Sequence, residues 1–150
     1  MDIDKLDLVF SDVLTEIVSI VSGFSLEVLS QEEENNFEDM TGVMCLNGKK
    51  CGILFISANE DIMRILCSYM TAIPQPEIKK EDMEDALCEL VNMTAGSAKL
   101  RLSASDYAFN LSSPYVIKGQ NMLIVPKNKT HVISKVLGNE EITIKLKVVY

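Results

Sequence analysis

No tryptophan and a single histidine, His131, stand in this 150-residue chain. With one histidine and no Gly-x-Ser-x-Gly elbow, no hydrolase triad can be assembled from recognisable parts. The four cysteines, at 45, 51, 67 and 88, form no C-x-x-C pair. A structural zinc site needs paired Cys or His ligands at short spacing. No metal site is expected, and the thiols read as reduced, small apolar side chains. No apolar run approaches the roughly 18 residues that span a bilayer. The N-terminus, MDIDKLDLVF, is acidic where a secretory signal would be basic. The expectation is a cytoplasmic chain with no membrane insertion. Basic residues are scarce as well, 14 against 22 acids, for a net charge of −8. Residues 1–75 hold 13 acids and 4 bases, residues 76–150 hold 9 and 10. Nucleic acid, held through cationic contacts to phosphates, is a poor fit for such a surface. Gly42 and Gly48-Lys49 are separated by five residues where a P-loop has four, and the lysine falls in a turn and not ahead of a helix.

What is present suffices for one domain, 1–150. Residues 4–22 carry Phe10, Leu14, Ile17, Val18 and Val21 at helical spacing, with Gly23 as a stop. FSLEVL (24–29) reads as a strand and QEEENNFED (31–39) as a polar connection. Asn47-Gly48 between GVMCL (42–46) and CGILFIS (51–57) signals a hairpin. A helix over about 60–71, capped by Ser57 or Asn59, and a longer one over about 80–103 follow. Strands are expected at 107–112, 115–119, 121–126 and 141–150. The last alternates well and reads as an exposed sheet edge. The fold class is α/β, an α+β layered domain whose sheet is mostly antiparallel with helices packed on it.

The first and third helices share a pattern. Asp12, Glu16, Ser19 and Gly23 match Asp85, Glu89, Asn92 and Gly96 at a constant offset of 73. The apolar positions match under the same offset. A duplicated helix-plus-strands unit is the reading.

On a wheel of the long helix, Leu87, Leu90, Val91, Thr94 and Ala98 share one face. Asp85, Glu89, Asn92, Gly96 and Lys99 form a stripe on the other. Glu89 and Asn92 sit one turn apart, aimed away from the core. Gly96 keeps the next turn low, so another protein can approach. A Glu and an Asn on a solvated helix are common in themselves. The wider string is more telling: Asp85-x-x-x-Glu89-x-x-Asn92-x-x-x-Gly96, then Pro114 after 21 residues from Asn92.

This string resembles the CheC/CheX chemotaxis phosphatases, and Ser19 in the asparagine position of the first copy puts the resemblance with the single-site, CheX-like branch. The resemblance implies a CheC-like fold and a phosphatase of the aspartyl phosphate on a CheY-like response regulator. By match, Glu89 pairs with a receiver lysine and Asn92 orients the attacking water. Asp85, Gly96 and Pro114 fall to partner binding. No cofactor of its own is implied, since the receiver brings its Mg²⁺. CheX relatives form homodimers, so a homodimer is expected. The alternative is a non-catalytic, response-regulator-binding module of the same fold, as in flagellar switch proteins, and a third reading is a structural dimeric domain without a receiver partner.

Overall fold

The computed structural model describes residues 2–30, 36–128 and 131–150. Helix α1, Ile3–Ser22, starts at Asp2, whose carboxylate accepts from the Asp4 amide. It ends at Gly23, held left-handed at φ 79°, whose N–H donates to the Ser19 carbonyl. Strand β1 is Glu27–Ser30, β2 is Met40–Gly48 and β3 is Gly52–Ala58. Helix α2, Glu60–Thr71, is capped by Asn59, whose side-chain oxygen accepts from the Ile62 amide at 2.9 Å. A single 3₁₀ turn at Gln75–Glu77 leads into α3, Lys80–Leu102. Four strands follow: β4 Phe109–Asn110, β5 Tyr115–Lys118, β6 Val132–Gly138 and β7 Thr143–Val149.

One antiparallel sheet runs β1-β6-β7-β3-β2, and both β4 and β5 pair with the outer side of β2. The halves α1-β1-β2-β3 and α3-β5-β6-β7 interlock, because β1 pairs with β6 while β5 pairs with β2. β3 and β7 meet in the middle. Exchanging the halves leaves the strand order unchanged, the arrangement a duplication would produce. The helices share one face of the sheet. Phe10, Leu14 and Val18 of α1, Met63 and Leu66 of α2, and Leu87, Leu90 and Val91 of α3 pack there on Met44, Leu54, Ile56, Ile144 and Leu146.

Three expectations are corrected. Residues 121–126 form no strand. Asn121 is left-handed at φ 56°, and only Leu123 makes an isolated bridge, to Asn36. The strand is instead β6, whose alternation is broken by Lys135 between Ile133 and Leu137 on the helix-facing side. That lysine is buried, and its ammonium donates to the Asp7 carbonyl and to Ser11 Oγ of α1. The third correction follows from the second. With β6 on one side and β3 on the other, β7 is central and is no edge. Lys147, whose burial lowers its pKa, lies over the Phe37 ring on the far face of the sheet. The strands expected at 24–29 and 107–112 shrink to Glu27–Ser30 and Phe109–Asn110. Of the polar connection, 31–35 lie outside the described residues. All four cysteines are free; Cys67 is buried as expected, whereas Cys45 and Cys51 are exposed.

Candidate functional site on the outward face of α3

The position of α3 depends on a glycine beneath it. A Cβ on Gly42 would stand 2.5 Å from Val91 Cγ2 and 3.1 Å from Leu87 Cγ. The helix therefore rests almost on the backbone of β2. In the row Val116, Gly42, Ile56, Leu146, Lys135 that crosses the sheet, Gly42 matches Lys135 about the centre. So α3 meets bare backbone where α1 meets a lysine side chain.

With that face buried, the opposite stripe is presented outward. Asp85, Glu89 and Asn92 are exposed and Gly96 is half-exposed. Side chains three residues apart on a helix are neighbours, roughly 5–6 Å between Cβ atoms. Neither the Glu89 nor the Asn92 side chain makes a hydrogen bond or ion pair with another described residue. A Cβ added to Gly96 would meet nothing within 4 Å among the described residues. Nearby, burial and then the carboxylates of Asp85 and Glu84 push the Cys88 thiol above its usual pKa, which keeps it protonated at neutral pH.

Pro114 belongs to the segment that leads into the outer strand. It precedes β5, and Pro114, Val116 and Lys118 share the helix-facing side. Lys118 donates to Glu84 at 2.5 Å. Val116 pairs across from Gly42, under Leu87 and Val91. Stepping back along β5 thus advances along α3. Pro114 immediately precedes β5, at the end of the strand away from the Lys118–Glu84 pair. The loop ahead of it is pinned by Ser112 Oγ, which donates to the Cys45 carbonyl at 2.8 Å. These tethers join residues 34 and 67 positions apart, and nothing in the sequence signals them.

The matching stripe on α1 is different. Asp12, Glu16 and Ser19 are exposed, but Glu16 is paired with Arg101 of α3 at 2.5 Å. The glycines matched by the offset also differ in role: Gly23 ends α1 in a left-handed cap, whereas Gly96 lies inside α3.

A family model described as chemotaxis phosphatase CheX matches residues 40–137. The chain belongs to that family. The matched segment contains α3 with Asp85, Glu89, Asn92 and Gly96, as well as Pro114. No curated protein matches the sequence. Among solved structures, a CheC-like superfamily protein from Shewanella sp. PV-4 is 24% identical with a TM-score of 0.84, covering 99% of this chain and 98% of that one. Chemotaxis protein CheX from Vibrio vulnificus is 20% identical with a TM-score of 0.82, covering 94% and 95%. CheX from Borrelia burgdorferi, solved as a CheX–CheY–BeF3–Mg²⁺ complex, is 15% identical with a TM-score of 0.75, covering 94% of each chain. At these identities the likeness shows the fold, a mixed α/β architecture of the CheC-like kind. No helix among the described residues is long and apolar enough to cross a membrane.

Proposed function

We propose that this chain hydrolyses the aspartyl phosphate of a CheY-like response regulator, with α3 as the docking element. The observation that carries the reading is the exposed, unengaged Glu89–Asn92 pair beside the open turn at Gly96. The Borrelia relative, of the same fold, was captured on CheY with beryllium fluoride and Mg²⁺.

Glu89 pairs with a lysine of the receiver and Asn92 enters the receiver's phosphorylation site. Its amide oxygen accepts a hydrogen bond from a water and holds it in line with phosphorus. Being neutral, the amide does not repel the phosphoryl oxygens. The water oxygen bonds to phosphorus as the bond to the aspartyl oxygen breaks, giving inorganic phosphate and a free carboxylate. The receiver's own Mg²⁺ neutralises the developing charge, so positioning is what this chain supplies. The reaction places it in the cytoplasm, where response regulators act. Assembly as a homodimer fits the sheet edges at β1, with Val28 and Leu29 exposed, and at β5, with Tyr115 and Ile117 exposed, both unpaired among the described residues. A monomeric mass at micromolar concentration would exclude it.

Incubation with phosphorylated receivers, following phosphate release, tests the function. Asn92→Ala should lower hydrolysis tenfold or more with receiver binding retained, and Ser19→Ala should leave turnover unchanged. Loss of activity in Ser19→Ala with Asn92→Ala fully active would assign the chemistry to the wrong helix.

A further inference from the structure

Beyond Gly96, the outward stripe of α3 continues at the same spacing to Lys99 and Ser103. Lys99 is half-buried, and its side chain has no ion pair or hydrogen bond with another described residue. Arg101, two residues further on, is by contrast committed to Glu16. Lys99 forms one wall of a depression of about 290 Å³ between the end of α3 and the β2–β3 turn. Asn47, Ser103 and Asn110 supply its other polar walls, and the buried Phe109 lies at its base. A second glycine maintains this shape. A Cβ on Gly48 would stand 2.0 Å from the Ala108 carbonyl oxygen, so β4 can close against the turn only with glycine there.

Charge therefore changes sign along one helix face. Asp85 and Glu89 are acidic, Asn92 and Gly96 are neutral, and Lys99 is cationic. Ten helical residues separate Glu89 from Lys99, about 15 Å, and seven separate Asn92 from Lys99, about 10 Å. At that distance Lys99 cannot share a phosphoryl group with Asn92. A cation at that distance is left to meet a separate group on the same partner.

We infer that Lys99 and its depression receive an acidic side chain of the response regulator, about 10 Å from the phosphoryl group, and so set the direction in which the receiver lies along α3. This rests on the phosphatase reading above. The occupant follows from charge complementarity. A partner that presents a base to Glu89 and an acid to Lys99, roughly 15 Å apart, docks in one orientation. The reversed orientation sets like charges against each other at both ends. Lys99 is a specificity-determining residue and takes no part in the chemistry.

The test compares wild type with Lys99→Glu, Lys99→Gln and Lys99→Arg on a phosphorylated receiver, after thermal melts establish that each variant is folded. Lys99→Glu should raise KM about tenfold or more, with kcat within twofold, and added salt should narrow the gap. Lys99→Gln should give a smaller rise, and Lys99→Arg should keep the wild-type KM. An unchanged KM in folded Lys99→Glu, or a fall in kcat alone, overturns the inference. Titration of the receiver onto each variant separates the two readings. Wild type that binds without hydrolysing removes the phosphatase reading, while the Kd ratio of wild type to Lys99→Glu still decides the role of Lys99. Wild type that neither binds nor hydrolyses any receiver overturns both.

Discussion

Gly96→Ala sets stability against function at one position. Glycine inside a helix is about 1 kcal/mol less favourable than alanine. In α3 nothing in the fold repays that cost. Gly96 has no positive φ, and the space above its Cα is open, with no described atom beyond its own stretch of helix within 4 Å of an added Cβ. The full propensity gain should therefore appear as about 1 kcal/mol of added stability. For a chain of this size that is a rise in melting temperature of about 2–4 °C, read by circular dichroism or calorimetry. The same methyl stands where a docking receiver would approach, one turn from Asn92. A shift of about 1 Å in the docked partner can cost up to ~100-fold in rate, so kcat/KM on a phosphorylated receiver should fall at least tenfold. The variant is expected to be a more stable, poorer enzyme. A melting temperature that stays level or drops would mean the turn is not open. A raised melting temperature with kcat/KM unchanged would mean the partner's footprint ends before residue 96.

Gly42→Ala should do the opposite to stability, because its Cβ would press on Val91 Cγ2 and Leu87 under α3; a loss of about 1–3 kcal/mol in urea unfolding is expected, and an unchanged midpoint would show that α3 does not rest on this backbone. Tyr150 predicts a pH dependence. Burial holds its phenol well above the ordinary value of 10.0, so above about pH 10 the unfolded chain ionises there while the folded chain keeps its proton. Stability should be level below that pH and decline above it, and Tyr150→Phe should flatten the decline in urea midpoints taken from about pH 7 to 11. Since Tyr150 Oη is buried without a hydrogen-bond partner among the described residues, Tyr150→Phe should be no less stable than wild type at about pH 7; a clear loss there would reveal a bond to the phenol.

The helices were legible because each carries a one-sided apolar stripe and local caps, so α2 begins at the residue that Asn59 caps and ends at Thr71. The sheet was legible where its strands alternate cleanly, as in the hairpin of β2 and β3. It was misread where a side chain contradicts its burial. Lys135 sits among apolar residues of β6 on the buried face, and its ammonium is satisfied by Asp7 and Ser11, 128 and 124 positions away. No local pattern anticipates such a partner. Conversely, 121–126 is apolar enough for a strand, but Asn121 turns the backbone, and Ile124 packs with Phe37 and Phe55 on the far face while Leu123 and Val125 stay exposed. The same covering segment explains Lys147. The length and alternation of the last strand suggested an exposed edge, yet Lys147 lies over the Phe37 ring in the middle of the sheet.

The site shows a sharper version of this division. A symmetric fold offers two equivalent helices, and a partner could in principle use either. One difference between them stands in the sequence: asparagine at 92, serine at 19. The other is visible only in three dimensions. Glu89 is unengaged among the described residues, whereas Glu16 already holds Arg101, a residue of the other half whose counterpart under the 73-residue offset would be Val28, in β1 and not on the helix. The pair joins partly exposed groups and adds little to stability, about 0–1 kcal/mol at most. Its consequence lies elsewhere. A receiver lysine seeking Glu16 would have to displace an arginine already in place, while at Glu89 it displaces only water. Under the 73-residue offset α1 stops at Ser22, the counterpart of Ala95, whereas α3 runs on to Leu102, and it is this continuation that holds Arg101 beside Glu16. On the proposed reading, the helix that offers Glu89 and Asn92 would thereby obstruct the matching stripe on α1, so the continuation of α3 past Gly96 would favour one helix over the other as much as the asparagine at 92 does.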